Sequence, residues 1–487
     1  MKRGLIACMA SLALAGCSGN TANDAPQALD ITPAAFDAGQ LSQTLAEAIR
    51  FRTISAPGFE AESADDFDAF RAFLAERFPL IHARLEHSEL GAHSVIFTWR
   101  GSDASLAPVI FLAHQDVVPV EPGTEDRWTY PAFGGVIAEG QVWGRGTMDM
   151  KGHLITLLSA VERHLAEGTE PARTVYLVLG ADEEVGGAGA RAAADHIAQT
   201  GQRAWFTLDE GGFTIMENPV SGTPAAMIAV AEKGYMTVEI TARARGGHSS
   251  TPPEHTSVGL LARALVQIED APFDHGLDGG PTRAMITALA PQATGLAGFA
   301  MSHPGLFGPI MTARFMADDA SRALLGTTIA PTIVQGGIKD NVLPQESRAL
   351  VNLRLHPRDT IDSALAHLRA SVADLDGVTI EPWGAINNAP PVAATEGPAW
   401  DLIAGAALAF APEGTPAVPM MLTATTDARA FADVSENLYR YAPVRAAMED
   451  VARIHGDDER IAVEDLERMA AFFHAVIGAA VRADADQ

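Results

Sequence analysis

The sequence predicts an α/β fold with two domains, and three observations support this. Short apolar runs such as Val109–Ala113 and Val175–Gly180 alternate with helix-type segments, which favours helices packed on both faces of a largely parallel sheet. The chain has 487 residues, more than one ordinary core holds. The strand pattern also changes near Tyr235, where apolar and polar residues begin to alternate.

The N-terminus has the features of an exported lipoprotein. Met1–Arg3 is basic, and Leu5–Ala15 is apolar but too short to span a bilayer. The LAGC sequence that ends at Cys17 resembles the bacterial lipobox, so we expect removal of residues 1–16 and a lipid anchor on Cys17. The alternative is an ordinary signal peptide with an incidental cysteine. The expected location is extracytoplasmic, on the periplasmic side of a bacterial membrane, and Ser18 favours the outer membrane.

Residue periodicity predicts the elements that follow. Residues 17–38 are small and polar, as in a linker. Leu41, Leu45 and Ile49 have helical spacing, which predicts helices across 40–86. Strands are then predicted at Val95–Trp99, Val109–Ala113, Val175–Gly180 and Phe206–Leu208, and helices at His153–Ala166 and Arg191–Gln199.

A second block begins near Tyr235. Strands are predicted at Thr237–Ala244, Thr332–Gln335, Arg348–Leu355 and Val378–Trp383, with helices at Val258–Ile268 and Ile361–Ala373. Helices at Trp400–Ala411 and Val463–Val481 resume the first pattern. We therefore predict a main domain in two parts, 39–234 and 386–487, with an α+β domain inserted at 235–385.

Five short segments combine histidines with carboxylates. They are HQD at His114–Asp116, TMDMKG at Thr147–Gly152, DEEVGG at Asp182–Gly187, DEGG at Asp209–Gly212 and IHGDDER at Ile454–Arg460. Four lie at or just beyond the ends of apolar strands, where ligands bind in open α/β sheets. Imidazole and carboxylate suit a divalent cation such as zinc. The net charge of −27 argues against a nucleic acid partner.

The spacing within these segments suggests separate roles. His114 and Asp116 are two residues apart in a strand-like segment and point to the same side, so Asp116 can orient the imidazole. Of the adjacent Glu183 and Glu184, one can bind a cation while the other deprotonates water. Asp149 lies between two methionines, where a charge is costly without a cation. The alternative is that these are ordinary surface groups and a solvated acidic run.

The motifs GRGTMDMKG, DEEVGG, DEGG, GGHSS and IHGDDER occur in the order of the di-zinc aminoacylase and carboxypeptidase family, which this sequence resembles over roughly residues 40–480. The nearest branch holds carboxypeptidase S and the N-fatty-acyl amino acid synthase/hydrolase. The resemblance implies a phosphorylase/hydrolase-like α/β/α catalytic domain with a ferredoxin-like lid or dimerisation domain. It also implies metal ligands and a general base: His114, Asp149 and Asp209 for one zinc, Asp149, Glu184 and His455 for the other, and Glu183 as the base.

The same resemblance implies further site residues. His248 in GGHSS would stabilise the oxyanion, often from a partner subunit, which would require a homodimer formed through the lid. Asn341, Arg354 and Arg429 would bind substrate. The alternatives are a simple turn histidine for His248 and a structural salt bridge for Arg354. A cis peptide bond is implied after Asp149.

The function that we expect is hydrolysis of an amide or peptide bond next to a free carboxylate, by a carboxypeptidase or an N-acyl amino acid amidohydrolase. The substrate is a small molecule or short peptide. Two alternatives stay open, namely synthesis of N-fatty-acyl amino acids by the reverse reaction, and a non-catalytic lipid-anchored peptide-binding protein. Cobalt or manganese could take the place of the two zinc ions.

Overall fold

The computed structural model describes residues 26–485 apart from 57–59, 92 and 278–279. The predicted signal peptide, Cys17 and the first part of the linker lie outside the described residues. Within the described part of the chain, no helix is both long and apolar enough to cross a membrane.

The helices and strands alternate along the chain. The helices are α1 Ala38–Ile49, α2 Glu60–Arg77, α3 Pro79–Arg84, α4 Lys151–Glu167, α5 Ala188–Ala198, α6 Ser257–Glu269, α7 Gly280–Leu289, α8 Gly295–Ser302, α9 Pro304–Phe315, α10 Asp319–Ala323, α11 Ile361–Ser371, α12 Pro398–Phe410, α13 Met448–Val451 and α14 Val463–Ala480. The strands are β1 Glu86–Leu90, β2 Ser94–Trp99, β3 Val109–His114, β4 Val136–Ala138, β5 Gln141–Trp143, β6 Val175–Gly180, β7 Phe206–Asp209, β8 Thr214–Ile215, β9 Ala225–Glu232, β10 Gly234–Arg243, β11 Gly247–His248, β12 Thr328–Gly336, β13 Val342–Leu343, β14 Glu346–Leu355, β15 Val378–Pro382, β16 Ala417–Leu422, β17 Leu438–Arg440, β18 Arg445–Ala446 and β19 Arg460–Ala462.

The main sheet has ten strands in the order β1-β2-β6-β3-β7-β17-β9-β8-β18, with β16 paired to β9. The predicted α/β class is confirmed. The prediction of a largely parallel sheet is wrong, because the sheet is mixed. Strands β3, β6, β7 and β17 are parallel in its centre, but β1–β2, β2–β6, β17–β9 and β8–β9 are antiparallel.

Helices cover both faces of this sheet and make three layers. Phe111 of β3 and Leu177 of β6 belong to a large core that also contains residues of α1, α4, α12 and α14. Ile110 precedes Phe111 and Val178 follows Leu177, and both point to the opposite face of the sheet, where they pack with α5. Alternate residues of one strand therefore enter different cores, which explains why these strands are apolar throughout.

The central parallel strands end at one edge of the sheet. His114 ends β3 and pairs with Gly180, which ends β6. Asp209 ends β7 and pairs with Arg440, which ends β17. Because parallel strands bring their carboxyl ends to the same edge, residues far apart in sequence meet here.

A second, antiparallel sheet has the order β12-β14-β10-β15. With α6 and α11 it follows the βαββαβ order of ferredoxin-like folds, and it has its own buried core. The chain enters and leaves this unit through adjacent backbone, since Tyr235 and Asn387 exchange hydrogen bonds of 3.0 and 2.8 Å. The predicted domain limits stay a prediction.

Helices α7–α10 interrupt the ferredoxin-like order between α6 and β12. Met285 of α7, Met301 of α8 and Met311 of α9 share a buried cluster with Val418 of β16. This helical segment therefore packs on the outer strand of the main sheet.

Candidate metal centre

His114 stands at the centre of the candidate site. It ends β3 and is 1% exposed. Its Nε2 atom lies 3.0 Å from Asp149 Oδ1 and 3.1 Å from Glu210 Oε1. Its Nδ1 atom lies 3.0 Å from the backbone oxygen of Asp116 and 3.3 Å from Oδ1 of the same residue. One ring nitrogen is thus held by Asp116 while the other faces carboxylates, an arrangement typical of metal-binding histidines.

Asp149 links the two histidines. While Oδ1 faces His114, Oδ2 lies 3.0 Å from Nε2 of His455. Nε2 of His455 is also 3.2 Å from Glu184 Oε2. Burial opposes ionisation of Asp149, but the hydrogen bonds to the two imidazoles hold the pKa of this carboxyl well below its usual range. The cis peptide bond implied by the sequence motifs is confirmed between Asp149 and Met150.

The chemistry of this donor set fits divalent cations. Two imidazole nitrogens and three carboxylates converge at separations of 3.0–3.2 Å. Ligand atoms of His114, Asp149 and Glu184 all lie within 4.8 Å of one another. Oε1 of Glu184 is buried and has no hydrogen-bond partner among the described residues. Three acidic groups this close together, with one oxygen unsatisfied, need positive charge that a metal ion supplies.

The predicted ligand Asp209 and its neighbour Glu210 have different surroundings, and the ligand role of Asp209 stays a prediction. Asp209 was predicted as a ligand, but its Oδ1 accepts from Glu210 N–H at 2.9 Å and its Oδ2 from Ala428 N–H at 2.8 Å. The neighbouring Glu210 faces His114 instead. Burial and the charge of Asp149 raise the pKa of Glu210 to about 8. Sequence reasoning missed Glu210 because adjacent residues point to opposite sides, and the order of two acids does not say which one faces the site.

Asp116 connects the histidine to the two glutamates. Besides approaching His114, its carboxylate accepts from Glu183 N–H at 3.3 Å and Glu184 N–H at 3.1 Å, and from the Ser55 hydroxyl. Burial and then the negative charge of Asp427 raise the pKa of Glu183 well above its usual range. The half-buried Glu183 carboxyl therefore lies in an acidic environment, next in sequence to the predicted ligand Glu184.

Glu459 holds the loop that presents Asp149. Its Oε1 accepts from the backbone N–H of Met148 at 2.9 Å and of Asp149 at 3.2 Å. Its Oε2 accepts from Gly146 N–H at 3.1 Å and from Arg145 Nη1 at 2.7 Å. Arg145 in turn donates to the backbone oxygen of His455 at 3.1 Å. This buried ion pair thus connects the loop of Asp149 with the loop of His455. The sequence motifs gave no role to Arg145 or Glu459.

A second buried ion pair holds the loop that carries Arg429. Arg440 and Glu232 lie 2.9 Å apart, and both side chains are 0% exposed. Glu232 Oε2 accepts from the backbone N–H and the hydroxyl of Thr426 at 3.0 and 2.9 Å. Asp427, the next residue, is 5% exposed and lies so close to Gly187 that a Cβ there would be 2.3 Å from Asp427 Oδ1. Thr426–Arg429 is therefore fixed beside the site.

Not all predicted substrate-binding residues approach the metal ligands. Arg354 packs over the Tyr235 ring, and its pKa is lowered by burial and by the positive charge of Arg429. His248 is exposed in the separate two-stranded sheet β11–β13, where its Nδ1 atom accepts from Ser250 N–H at 3.1 Å. Asn341 is also exposed there, and its Oδ1 accepts from Lys339. Neither contacts a predicted metal ligand within the described part of the chain.

Comparison with known proteins gives consistent results. Residues 110–479 match the family described as peptidase family M20/M25/M40. The chain is 32% identical over 447 residues to probable carboxypeptidase S-like 2 of Dictyostelium discoideum, covering 90% of this chain and 84% of that protein. It is 32% identical over 454 residues to the N-fatty-acyl-amino acid synthase/hydrolase PM20D1 of Homo sapiens, covering 92% and 88%. Among solved structures, the M20 family metallo-carboxypeptidase Sso-CP2 from Sulfolobus solfataricus superposes with a TM-score of 0.64 at 17% identity, over 91% of this chain and 99% of that one.

Proposed function

The chain belongs to peptidase family M20/M25/M40 and is a metal-dependent hydrolase, and from this premise we propose that it is a di-zinc enzyme that releases an amino acid from an N-acyl amino acid. The family resemblance expected from the sequence motifs is confirmed. The observation that carries the proposal is the convergence of His114, Asp149 and His455 with two glutamates at one sheet edge. The acyl group is a fatty acid or an aminoacyl group, as the names of the two relatives suggest.

The ligand set that we propose follows the observed separations. His114, Asp149 and Glu210 would hold one ion, and Asp149, Glu184 and His455 would hold the other, with Asp149 common to both sets. Glu210 takes the place that the sequence motif suggested for Asp209. A zinc ion held there would supply Lewis-acid chemistry for the carbonyl group and the attacking water, and the same donors would also suit cobalt or manganese.

Glu183 is the proton carrier. It is adjacent to the ligand Glu184, and its backbone N–H is fixed by Asp116. Its carboxylate takes a proton from the attacking water, and the oxygen of that water forms the new bond to the scissile carbonyl carbon. When the carbon–nitrogen bond breaks, Glu183 delivers the proton to the leaving nitrogen. The products are the carboxylic acid of the acyl group and the free amino acid.

Arg354 and Arg429 are proposed to bind the free carboxylate of the substrate. The positive charge of Arg429 acts on Arg354, so a carboxylate between the two guanidinium groups would relieve repulsion. His248, in the two-stranded sheet β11–β13, and Asn341, which immediately precedes β13, are both exposed. We propose that they complete the site of a partner subunit in a homodimer that forms through this sheet, where His248 would stabilise the oxyanion.

Synthesis of N-acyl amino acids by the reverse reaction is a second candidate. The relative from Homo sapiens is named a synthase/hydrolase, and the same residues serve both directions. A fatty acid and an amino acid at high concentration would then give the amide and water.

The lipid anchor on Cys17 also stays a proposal, supported by the LAGC sequence. Mass spectrometry of the protein from a membrane fraction would find diacylglycerol on Cys17. A chain that begins with an unmodified residue would contradict it.

The decisive experiment measures amino acid release from a panel of N-fatty-acyl amino acids and dipeptides by the metal-loaded protein. Glu183→Gln should lower kcat by at least about 10²- to 10⁴-fold without lowering the zinc content. Glu170→Gln, on the exposed surface, is the matched control and should behave like the parent. Release from no member of the panel, or full activity of Glu183→Gln, would contradict the proposal.

A further inference from the structure

Two short helices carry an exposed apolar surface. On α8 and α9, Leu296 is 87% exposed, Leu306 71%, Ile310 68% and Phe299 52%. Other apolar residues between them are exposed as well. We call the whole set the α8–α9 face, which comprises Leu296, Ala297, Phe299, Leu306, Pro309, Ile310 and Ala313.

Helix α9 is apolar on both of its sides. Leu306 and Ile310 are four residues apart and share the outer side, together with Ala313. Met311 is buried on the inner side, with Phe307 packed against the same cluster. A helix with apolar residues on its outer side as well as on its inner side normally has both sides covered. The α8–α9 face is therefore an apolar surface whose exposure to water is unfavourable, and binding of a partner would bury it.

The charge around this face is unlike that of the rest of the chain. The protein contains 61 acidic residues in 487 and has a net charge of −27. Yet no aspartate or glutamate occurs between Asp278 and Asp318. Arg283 and Arg314 are exposed in this stretch, and neither pairs with a carboxylate of the described residues. The stretch that contains the face is thus apolar and carries two exposed arginines, whereas the chain as a whole is strongly acidic.

We propose that the α8–α9 face inserts into the surface of a phospholipid membrane. Its apolar side chains enter the boundary between headgroups and acyl chains, and Arg283 and Arg314 contact lipid phosphates. The helices have 8 and 12 residues, too short to cross a bilayer, so they lie in its plane.

A lipid surface fits this face better than a protein does. Protein interfaces carry about one hydrogen bond per 100–200 Å². None of the seven side chains of the α8–α9 face can donate or accept one. Hydrocarbon requires no such pairing, and insertion of apolar side chains is driven by the area removed from water.

The test is flotation of the full chain with phosphatidylcholine vesicles, with and without phosphatidylglycerol. Cys17→Ser excludes any attached lipid. In this background Leu306→Glu/Ile310→Glu places two charges on the α8–α9 face. The matched control is Val258→Glu/Val266→Glu on α6, where the two valines are 47% and 56% exposed. Both double variants change exposed helical residues, so neither removes a core contact.

The parent and the α6 control should float with vesicles, and phosphatidylglycerol should strengthen binding. Leu306→Glu/Ile310→Glu should bind on the order of tenfold more weakly or worse. A parent that does not float, or equal flotation of all three proteins, overturns the proposal. It is also overturned if Leu306→Glu/Ile310→Glu only converts a dimer to a monomer in sedimentation, or loses hydrolysis of a soluble dipeptide, because the face would then serve a second copy or the substrate. Binding is measured without substrate, so failure here leaves the proposed function intact.

Discussion

Glu459→Gln is the substitution from which we expect the largest effect outside the ligands themselves. The Glu459 carboxylate is 0% exposed and accepts four hydrogen bonds, one from Arg145 and three from backbone N–H groups of Gly146, Met148 and Asp149. Burial raises the pKa of Glu459. All four neighbours donate, however, so the ionised form is the one that this site accommodates. Glutamine has the same shape but only one accepting oxygen.

The size of the effect follows from these contacts. In either orientation the glutamine NH₂ group would face two donors, namely the N–H groups of Met148 and Asp149 or those of Gly146 and Arg145. In addition, the guanidinium of Arg145, which is 3% exposed, would lose its counter-charge. Removing one partner of a buried ion pair costs about 3–5 kcal/mol. That is a large part of the roughly 5–15 kcal/mol that stabilises an ordinary domain. Since the loop presents Asp149, zinc affinity should also fall about 10- to 100-fold, as it does when outer partners of metal ligands are removed.

Two measurements check this. Urea unfolding in the presence of a chelator gives the free energy of unfolding without the metal contribution, and competition with a chromogenic chelator gives the zinc affinity. The exposed Glu436→Gln is the matched control. If Glu459→Gln unfolds at the urea concentration of the parent and binds zinc equally well, the assigned role of this carboxylate is refuted.

Three further predictions concern other buried groups. Arg440→Met should cost about 3–5 kcal/mol in urea unfolding, and adding Glu232→Leu should recover part of the loss, because the pair is fully buried; a double variant weaker than the single one would contradict this. Glu210→Gln should weaken zinc binding in chelator competition more than Asp209→Asn does, because only Glu210 faces His114; the reverse order would restore Asp209 as the ligand. Burial lowers the pKa of His356 to about 4. Between pH 6.5 and 4 the unfolded chain therefore binds a proton that the folded chain does not. As the pH falls through this range, the free energy of unfolding should decrease by about 2–3 kcal/mol. His356→Asn should remove that part of the acid loss in urea unfolding, and an unchanged pH dependence would contradict the assignment.

The sequence was most informative where strands are buried on both faces. β3, β6 and β7 are apolar without interruption, and the acids and His114 at their ends stand out against that background. Several other elements were not predicted. β16 contains Pro419, which an outer strand tolerates because it pairs on one side only. Helix α9 contains Pro309 and has apolar residues on both its inner and outer sides, so it shows no amphipathic period.

The sequence likewise predicted only part of the candidate metal centre. Sequence motifs indicated which segments meet, because parallel strand ends converge. They could not distinguish Asp209 from Glu210, since a turn of the backbone decides which acid faces His114. Arg145 and Arg440 were not assigned at all, because each acts through a partner hundreds of residues away, and only the folded chain brings these together.

The paired backbone of Tyr235 and Asn387 has a consequence for how this architecture can change. Facing residues of an antiparallel bridge that exchange both hydrogen bonds have Cα atoms about 5.5 Å apart, a gap that a two-residue turn can close. The segment between Tyr235 and Asn387 can therefore be exchanged, lengthened or deleted as a cassette while the strand order and connections of the main sheet stay unchanged. Selection can reshape whatever this cassette contacts, a membrane or a second subunit, while the metal-binding edge keeps its connectivity.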